Sequence, residues 1–285
     1  MLTDTFNKQL LFSTVRIDAD HGKSIGTGVM ICNVVDDQRY QIFLVTNKHV
    51  IAPTDDDGKI MGKYNIGYFS FTKNLKNQPI LGDVLRINIV DLTGTFFMHP
   101  DEDVDLAVCN ASQIFSHAKD KLKSELFIRP LFLNMLPDKH DKFDILDNIS
   151  FIGYPNGLFD MKNNLPLARS GVLASPFEVG FNGRDQFIID AQVFPGSSGS
   201  PVFLQEKRLN KGSLTLGGPD KYYFLGIISK VFQRDEVGDL VEIVGPTNNQ
   251  LKAISKQMIG LGICEKSTKV KEIVEMLIEK QGRPK

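Results

Sequence analysis

Cysteine is scarce in this chain. The three present, Cys32, Cys109 and Cys264, are odd in number and far apart, which excludes a disulfide framework and offers no metal-ligand pair. Long apolar runs are missing too. No stretch nears the roughly 18 consecutive apolar residues of a membrane span, and Asp4, Lys8 and Gln9 interrupt any signal-like run near the start. Charge of one sign is also lacking: 33 basic and 34 acidic residues leave a formal net charge of −1. Nothing therefore draws the chain toward nucleic acid or an anionic membrane. These absences predict a cytoplasmic globular protein with no nucleic-acid partner, no membrane partner, no metal and no cofactor. Its 285 residues suffice to bury a core without cross-links, and the thiols are expected to be idle and buried.

What the chain does have is a succession of short strands. β-Branched and aromatic runs bounded by turn formers fall at Phe12–Ile17, Gly28–Val34, Tyr40–Val45, Tyr64–Phe71, Val84–Val90 and Leu106–Cys109. A second set falls at Ile149–Gly153, Leu167–Leu173, Gln186–Asp190, Pro201–Phe203, Tyr222–Lys230 and Leu240–Val244. Asp36-Asp37-Gln38 reads as a hairpin turn. Such regular short strands argue for a sandwich or barrel. Two helices break the pattern: Asn248–Met258, capped by Thr247 or Asn248, and the amphipathic Thr268–Lys280. Gln113–Leu126 holds a short surface helix or an irregular loop.

Three segments carry chemistry. Pro195-Gly196-Ser197-Ser198-Gly199-Ser200-Pro201 lies between the apolar runs FIIDAQVF and VFL, where a generic linker would not sit. A serine nucleophile needs a base and donors for the oxyanion formed on attack. Gly196 lets the backbone fold so that the amides of Gly196 and Ser198 converge, and Gly199 continues the chain without a crowding Cβ. The apolar strand Phe43–Val45 runs through Thr46-Asn47-Lys48 to His49, a rigid place for a general base. Asp105 leads straight into Leu106-Ala107-Val108, so its carboxylate is partly buried and wants a partner such as a histidine N–H. His21, His99, His117 and His140 read as ordinary structural histidines.

The order His49, Asp105, Ser198 resembles the chymotrypsin-like serine proteases, since among the unrelated folds with this triad only theirs runs so. Thr46–His49 loosely matches their T-A-A-H, Asp105–Val108 their D-[IL]-A-[LV], and Gly196–Pro201 their G-x-S-G-G-P with Ser200 for the second glycine. Gly26-Thr27-Gly28-Val29 and Gly226-Ile227-Ile228-Ser229 are similar to the strands before the histidine and after the serine. Gly153-Tyr154-Pro155, Ser170-Gly171-Val172 and Asp190 resemble the HtrA and bacterial trypsin-like branch, without its PDZ domain.

The resemblance implies an all-β fold of two packed six-stranded antiparallel barrels with C-terminal helices. Residues 10–125 would form the first barrel and 140–247 the second. A protease domain over 1–258 would end in the helix 248–258, with a helical tail at 259–285. It also implies that Ser229 holds Asp105, that Lys230 and Val231 pair with substrate backbone, and that Gln192 forms the base of the specificity pocket; Glu242 is a weaker candidate there. Ser197 stands where the digestive enzymes carry the aspartate that takes a clipped N-terminus, so no such clipping is expected. The implied activity is a serine endopeptidase acting on protein or peptide substrates. A catalytically silent peptide-binding relative and a dedicated regulatory protease of a bacterial stress or defence pathway are the alternatives. The tail helix either docks on the fold, meets a regulatory partner or blocks the cleft.

Overall fold

The computed structural model describes residues 3–55, 58–155, 158–206, 221–240 and 251–282. The apolar runs become strands because each has a face to bury. In the first half these are β1 (Thr14–Ala19), β2 (Ser24–Val34), β3 (Tyr40–Thr46), β4 (Ile66–Leu75), β5 (Gln78–Val90), β6 (Phe97–Met98), β7 (Ala107–Asn110) and β8 (Leu131–Phe132). They pair in the order β5-β4-β1-β2-β3-β7-β6, with β8 running parallel to β2 and every other pairing antiparallel. The second half holds β9 (Asn148–Gly153), β10 (Leu167–Leu173), β11 (Gln186–Asp190), β12 (Pro201–Glu206), β13 (Lys221–Leu240) and β14 (Leu251–Lys266). These six close into a barrel in the order β10-β11-β14-β13-β12-β9.

β2 and β3 read as near-continuous apolar runs because both of their faces are covered. Met30, Cys32, Ile42 and Leu44 enter the core of the first sheet. Val29, Ile31, Phe43 and Val45, one residue out of step, meet Ile152, Phe203, Phe224 and Ile227 of the barrel. A third cluster fills the barrel itself, around Phe151, Phe187, Val202 and Leu225. The cleft that holds the site runs along the seam between sheet and barrel. All three cysteines are free and buried, and burial pushes the Cys109 thiol up to about 12.

The C-terminal helix, Ser267–Gln281, closes this seam. Val270, Ile273, Val274 and Leu277 follow helical spacing and are buried in the cluster that joins the two halves. At about 1.5–3 kcal/mol for each large apolar side chain, that face is a substantial part of the interdomain core. The apolar face of this helix is thus buried within the fold itself. Among the described residues no helix is long and apolar enough to cross a membrane.

Four expectations need correction. The helix placed at Asn248–Met258 is not there: from Leu251 the chain is strand β14, and residues 248–250 lie outside the described residues. Strand also continues through 259–266, where a helical tail was the expectation. β14 pairs with β11 on one side and β13 on the other, so without it both neighbours would present bare edges. That long-range pairing overrides a local capping signal. The second barrel consequently runs to Lys266 rather than 247. In the first half the chain pairs as an eight-stranded sheet instead of a six-stranded barrel. Of the strand expected at Leu240–Val244, Leu240 ends β13 and the remainder lies outside the described residues, as does Glu242. The segment Gln113–Leu126 contains a helix at Ser112–Asp120.

Candidate active site

β3 ends at Thr46 and the chain enters one helical turn, Lys48–Ile51. Val50, Ile51 and Ala52 are buried and anchor this turn. Thr46 Oγ1 donates to the Thr27 carbonyl at 2.7 Å, and Asn47 Nδ2 donates to the Asp105 carbonyl at 2.7 Å. His49 is thereby presented from a turn with little freedom. Asp105 sits just before β7, held in place by the buried Val104 and Leu106 on either side.

The three side chains singled out by sequence meet. His49 Nδ1 lies 2.7 Å from Asp105 Oδ2, and His49 Nε2 lies 2.8 Å from Ser198 Oγ. A carboxylate can only accept, so the Nδ1 proton points at Asp105 and Nε2 is left to accept from the Ser198 hydroxyl. The His49 backbone N–H donates to Asp105 Oδ1 at 3.4 Å, and Ser229 Oγ donates to Asp105 Oδ2 at 2.7 Å. Ser198 Oγ also lies 3.3 Å from the Ser229 carbonyl.

Two glycines shape the serine loop. Pro195 and Gly196 occupy the centre of a turn closed by Ser197 N–H donating to the Phe194 carbonyl at 3.0 Å. Gly196 has φ +88, so this is a type II turn with proline and glycine where that turn favours them. Gly199 has φ +86, and a Cβ there would run into the Thr27 carbonyl oxygen. Among the described residues the N–H groups of Gly196 and Ser198 donate to no protein acceptor, while Gly199 N–H donates to the Ile228 carbonyl at 2.8 Å. Both residues line a cleft of about 660 Å³ together with His49, Asp105, Phe194, Ser229, Lys230 and Val231.

Ser200, the departure from the family motif, does not enter this cleft. It is fully buried, its hydroxyl lies 3.4 Å from Thr27 Oγ1, and it packs over Gly153, where a Cβ would collide with it. Gln192 is also absent from the cleft, contrary to expectation. Ala191 and Val193 turn into the barrel, which leaves the intervening Gln192 exposed to solvent. His21, His117 and His140 are exposed, and His99 is buried, accepting the Asp101 N–H on Nδ1.

Electrostatics suit an acid–base pair. Burial opposes charge on His49, but the Asp105 carboxylate and its hydrogen bond outweigh that and hold the imidazole above its usual range, against a smaller pull from Lys230. Burial would likewise raise Asp105, yet His49 and Ser229 hold its carboxyl below the usual carboxylate range. Three residues missed in the sequence frame the pair. Lys48 is buried, donates from Nζ to the Asp101 carbonyl at 2.7 Å, and is pushed down by burial. Glu265 is buried with Oε1 facing the Asp105 N–H at 3.4 Å. Thr27 donates its N–H to the Ser198 carbonyl at 2.8 Å. Glu265 could have been found only by reading 259–266 as a strand, for which the alternation Ile259, Leu261, Ile263 was the available signal. Among the described residues no cluster of side chains could hold a metal ion.

No curated protein matches this chain. Among solved structures, it is similar to Rv3671c from M. tuberculosis H37Rv, crystallised as an inactive serine-to-alanine mutant. That match has 13% identity, covers 100% of this chain and 94% of the other, and has a TM-score of 0.44. A family model for the trypsin-like peptidase domain matches residues 26–209, a span that contains His49, Asp105 and Ser198, and the chain belongs to that family.

Proposed function

We propose that this protein is a serine endopeptidase that cleaves protein or peptide substrates through an acyl-enzyme. The observation that carries this reading is His49 Nε2 within 2.8 Å of Ser198 Oγ while Nδ1 is held by Asp105 at 2.7 Å. His49 takes the hydroxyl proton as Ser198 Oγ attacks the carbonyl carbon. The N–H groups of Gly196 and Ser198 stabilise the resulting oxyanion. The imidazolium returns its proton to the departing amine, leaving the acyl group on Ser198. Water then enters, His49 takes its proton, and collapse of the second tetrahedral intermediate frees the product acid and the serine. Asp105 stays ionised throughout and stabilises the imidazolium.

Substrate backbone has an edge to join. β12 pairs with β13 only as far as Ile227, and beyond it Ser229, Lys230 and Val231 line the cleft. A peptide library digested with the native chain and with Ser198→Ala, read by mass spectrometry, tests the proposal. New internal termini with the native chain alone support it; identical peptide populations sink it.

A further inference from the structure

Glu265 lies on β14 directly across from Gln186 of β11, with 1% of its surface exposed. Its Oε1 accepts from Gln186 Nε2 at 2.7 Å and from the Asp105 backbone N–H at 3.4 Å. The Asp105 peptide is thus gripped from both sides. The barrel holds its N–H through Glu265, and the His49 turn holds its carbonyl through Asn47 at 2.7 Å. The Asp105 carboxylate is fixed separately by His49 and Ser229.

Hydrogen bonding alone does not account for a carboxylate here. A glutamine would offer the same acceptor to Gln186 and to the Asp105 N–H without the penalty of burying a charge. The glutamate bears that penalty: burial raises its carboxyl to about 7, with the Gln186 hydrogen bond pulling it down and the Asp105 charge pushing it further up. The charged groups around it come from every neighbouring element. Asp105 precedes β7, Lys48 and His49 lie on the turn after β3, Lys230 lies on β13, and Lys266 follows on β14 with its Nζ 4.0 Å from Asp185.

We infer that Glu265 is a positioning residue for the His49–Asp105 pair: it seats the Asp105 peptide and, when ionised, adds a second negative charge behind it that favours protonated His49. The inference rests on the peptidase reading, in which the imidazolium forms twice per turnover. Placing the second charge beyond Asp105 strengthens the base without crowding the cleft, since Glu265 lies in the barrel wall and not among the cleft's lining residues.

The test is an NMR titration of the His49 ring in the full chain, native and Glu265→Gln, with the resonance assigned by its loss in His49→Gln. Removing the charge while keeping the acceptor should shift the His49 midpoint to lower pH. An unchanged midpoint in folded Glu265→Gln overturns the inference, because a merely structural prop would change stability and leave the titration in place. Should that variant not fold, Gln186→Met removes the donor that favours ionised Glu265. It should move the His49 midpoint in the same direction by a smaller amount, and no movement there counts against the inference equally. The titration needs no turnover, so failure to cleave peptides and failure of this inference register in separate measurements.

Discussion

Thr27 donates its backbone N–H to the Ser198 carbonyl at 2.8 Å, so a central strand of the first sheet holds the serine loop of the barrel directly. Its fully buried side chain continues the connection. Oγ1 accepts from the Tyr154 N–H at 3.1 Å and lies 3.4 Å from the Gly196 carbonyl. The two halves therefore meet at the loop that carries the nucleophile as well as through the apolar seam.

Thr27→Val keeps the shape of that side chain and removes its oxygen, leaving the Tyr154 N–H buried without its acceptor. The expected loss is about 1–3 kcal/mol of stability, measured by denaturant unfolding. Thr27→Ser should recover most of it. Equal stability of the valine and serine variants would show that the hydroxyl does not matter.

Ser229→Ala removes a 2.7 Å hydrogen bond from a buried hydroxyl to the Asp105 carboxylate. A bond to a charged acceptor of this kind corresponds to a rate loss of about tenfold or more, read as slower reaction of Ser198 with a fluorophosphonate. An unchanged rate would mean that His49 alone fixes Asp105.

The acid limb of that reaction follows from His49. A protonated imidazole cannot accept the Ser198 proton, and the Asp105 pairing holds His49 above the ordinary imidazole value of 6.5. Reaction should therefore fall as pH drops through a midpoint above 6.5. A pH–rate profile with its midpoint below that value would contradict the pairing.

Glu265 makes an opposite statement about stability. Its carboxyl is raised from 4.5 to about 7, so between those values the folded chain binds more protons than the unfolded one. Stability from this group is thus full below 4.5 and is lost as pH rises through about 7. Glu265→Gln should gain stability relative to the native chain as pH increases, an effect on the order of a few kcal/mol read from melting curves at pH 5 and pH 8. A constant difference between the two curves would refute it.

The C-terminal helix is structural on this account. Ile273→Ala opens a cavity in the cluster joining sheet and barrel and should lower stability by about 2–5 kcal/mol. Deleting the helix should destabilise the chain; a stable, faster enzyme would instead indicate that the helix restrains the cleft.

Most of this arrangement was legible in the sequence, for identifiable reasons. β10 and β11 match their expected bounds and β3 runs one residue further, whereas β2 begins at Ser24, four residues before the expected Gly28. His49, Asp105 and Ser198 were recognisable since each follows or leads a core strand in a spacing that few folds share. β14 was not, because its partners are distant in sequence and Pro246-Thr247-Asn248 offers a persuasive local helix start. Missing that strand hid Glu265 and left Gln192 and, more weakly, Glu242 as the candidates for the pocket. A residue's outward turn at Gln192 depends on Ala191 donating to the Gly260 carbonyl at 2.8 Å, another pairing between segments that local pattern cannot join.

Reaction with a fluorescent fluorophosphonate reads the activation of Ser198 itself. The folded native chain should be labelled, and folded Ser198→Ala and His49→Gln should not. A folded native chain that resists the probe at neutral pH, or a Ser198→Ala chain that still takes it up, would mean that Ser198 is not an activated nucleophile.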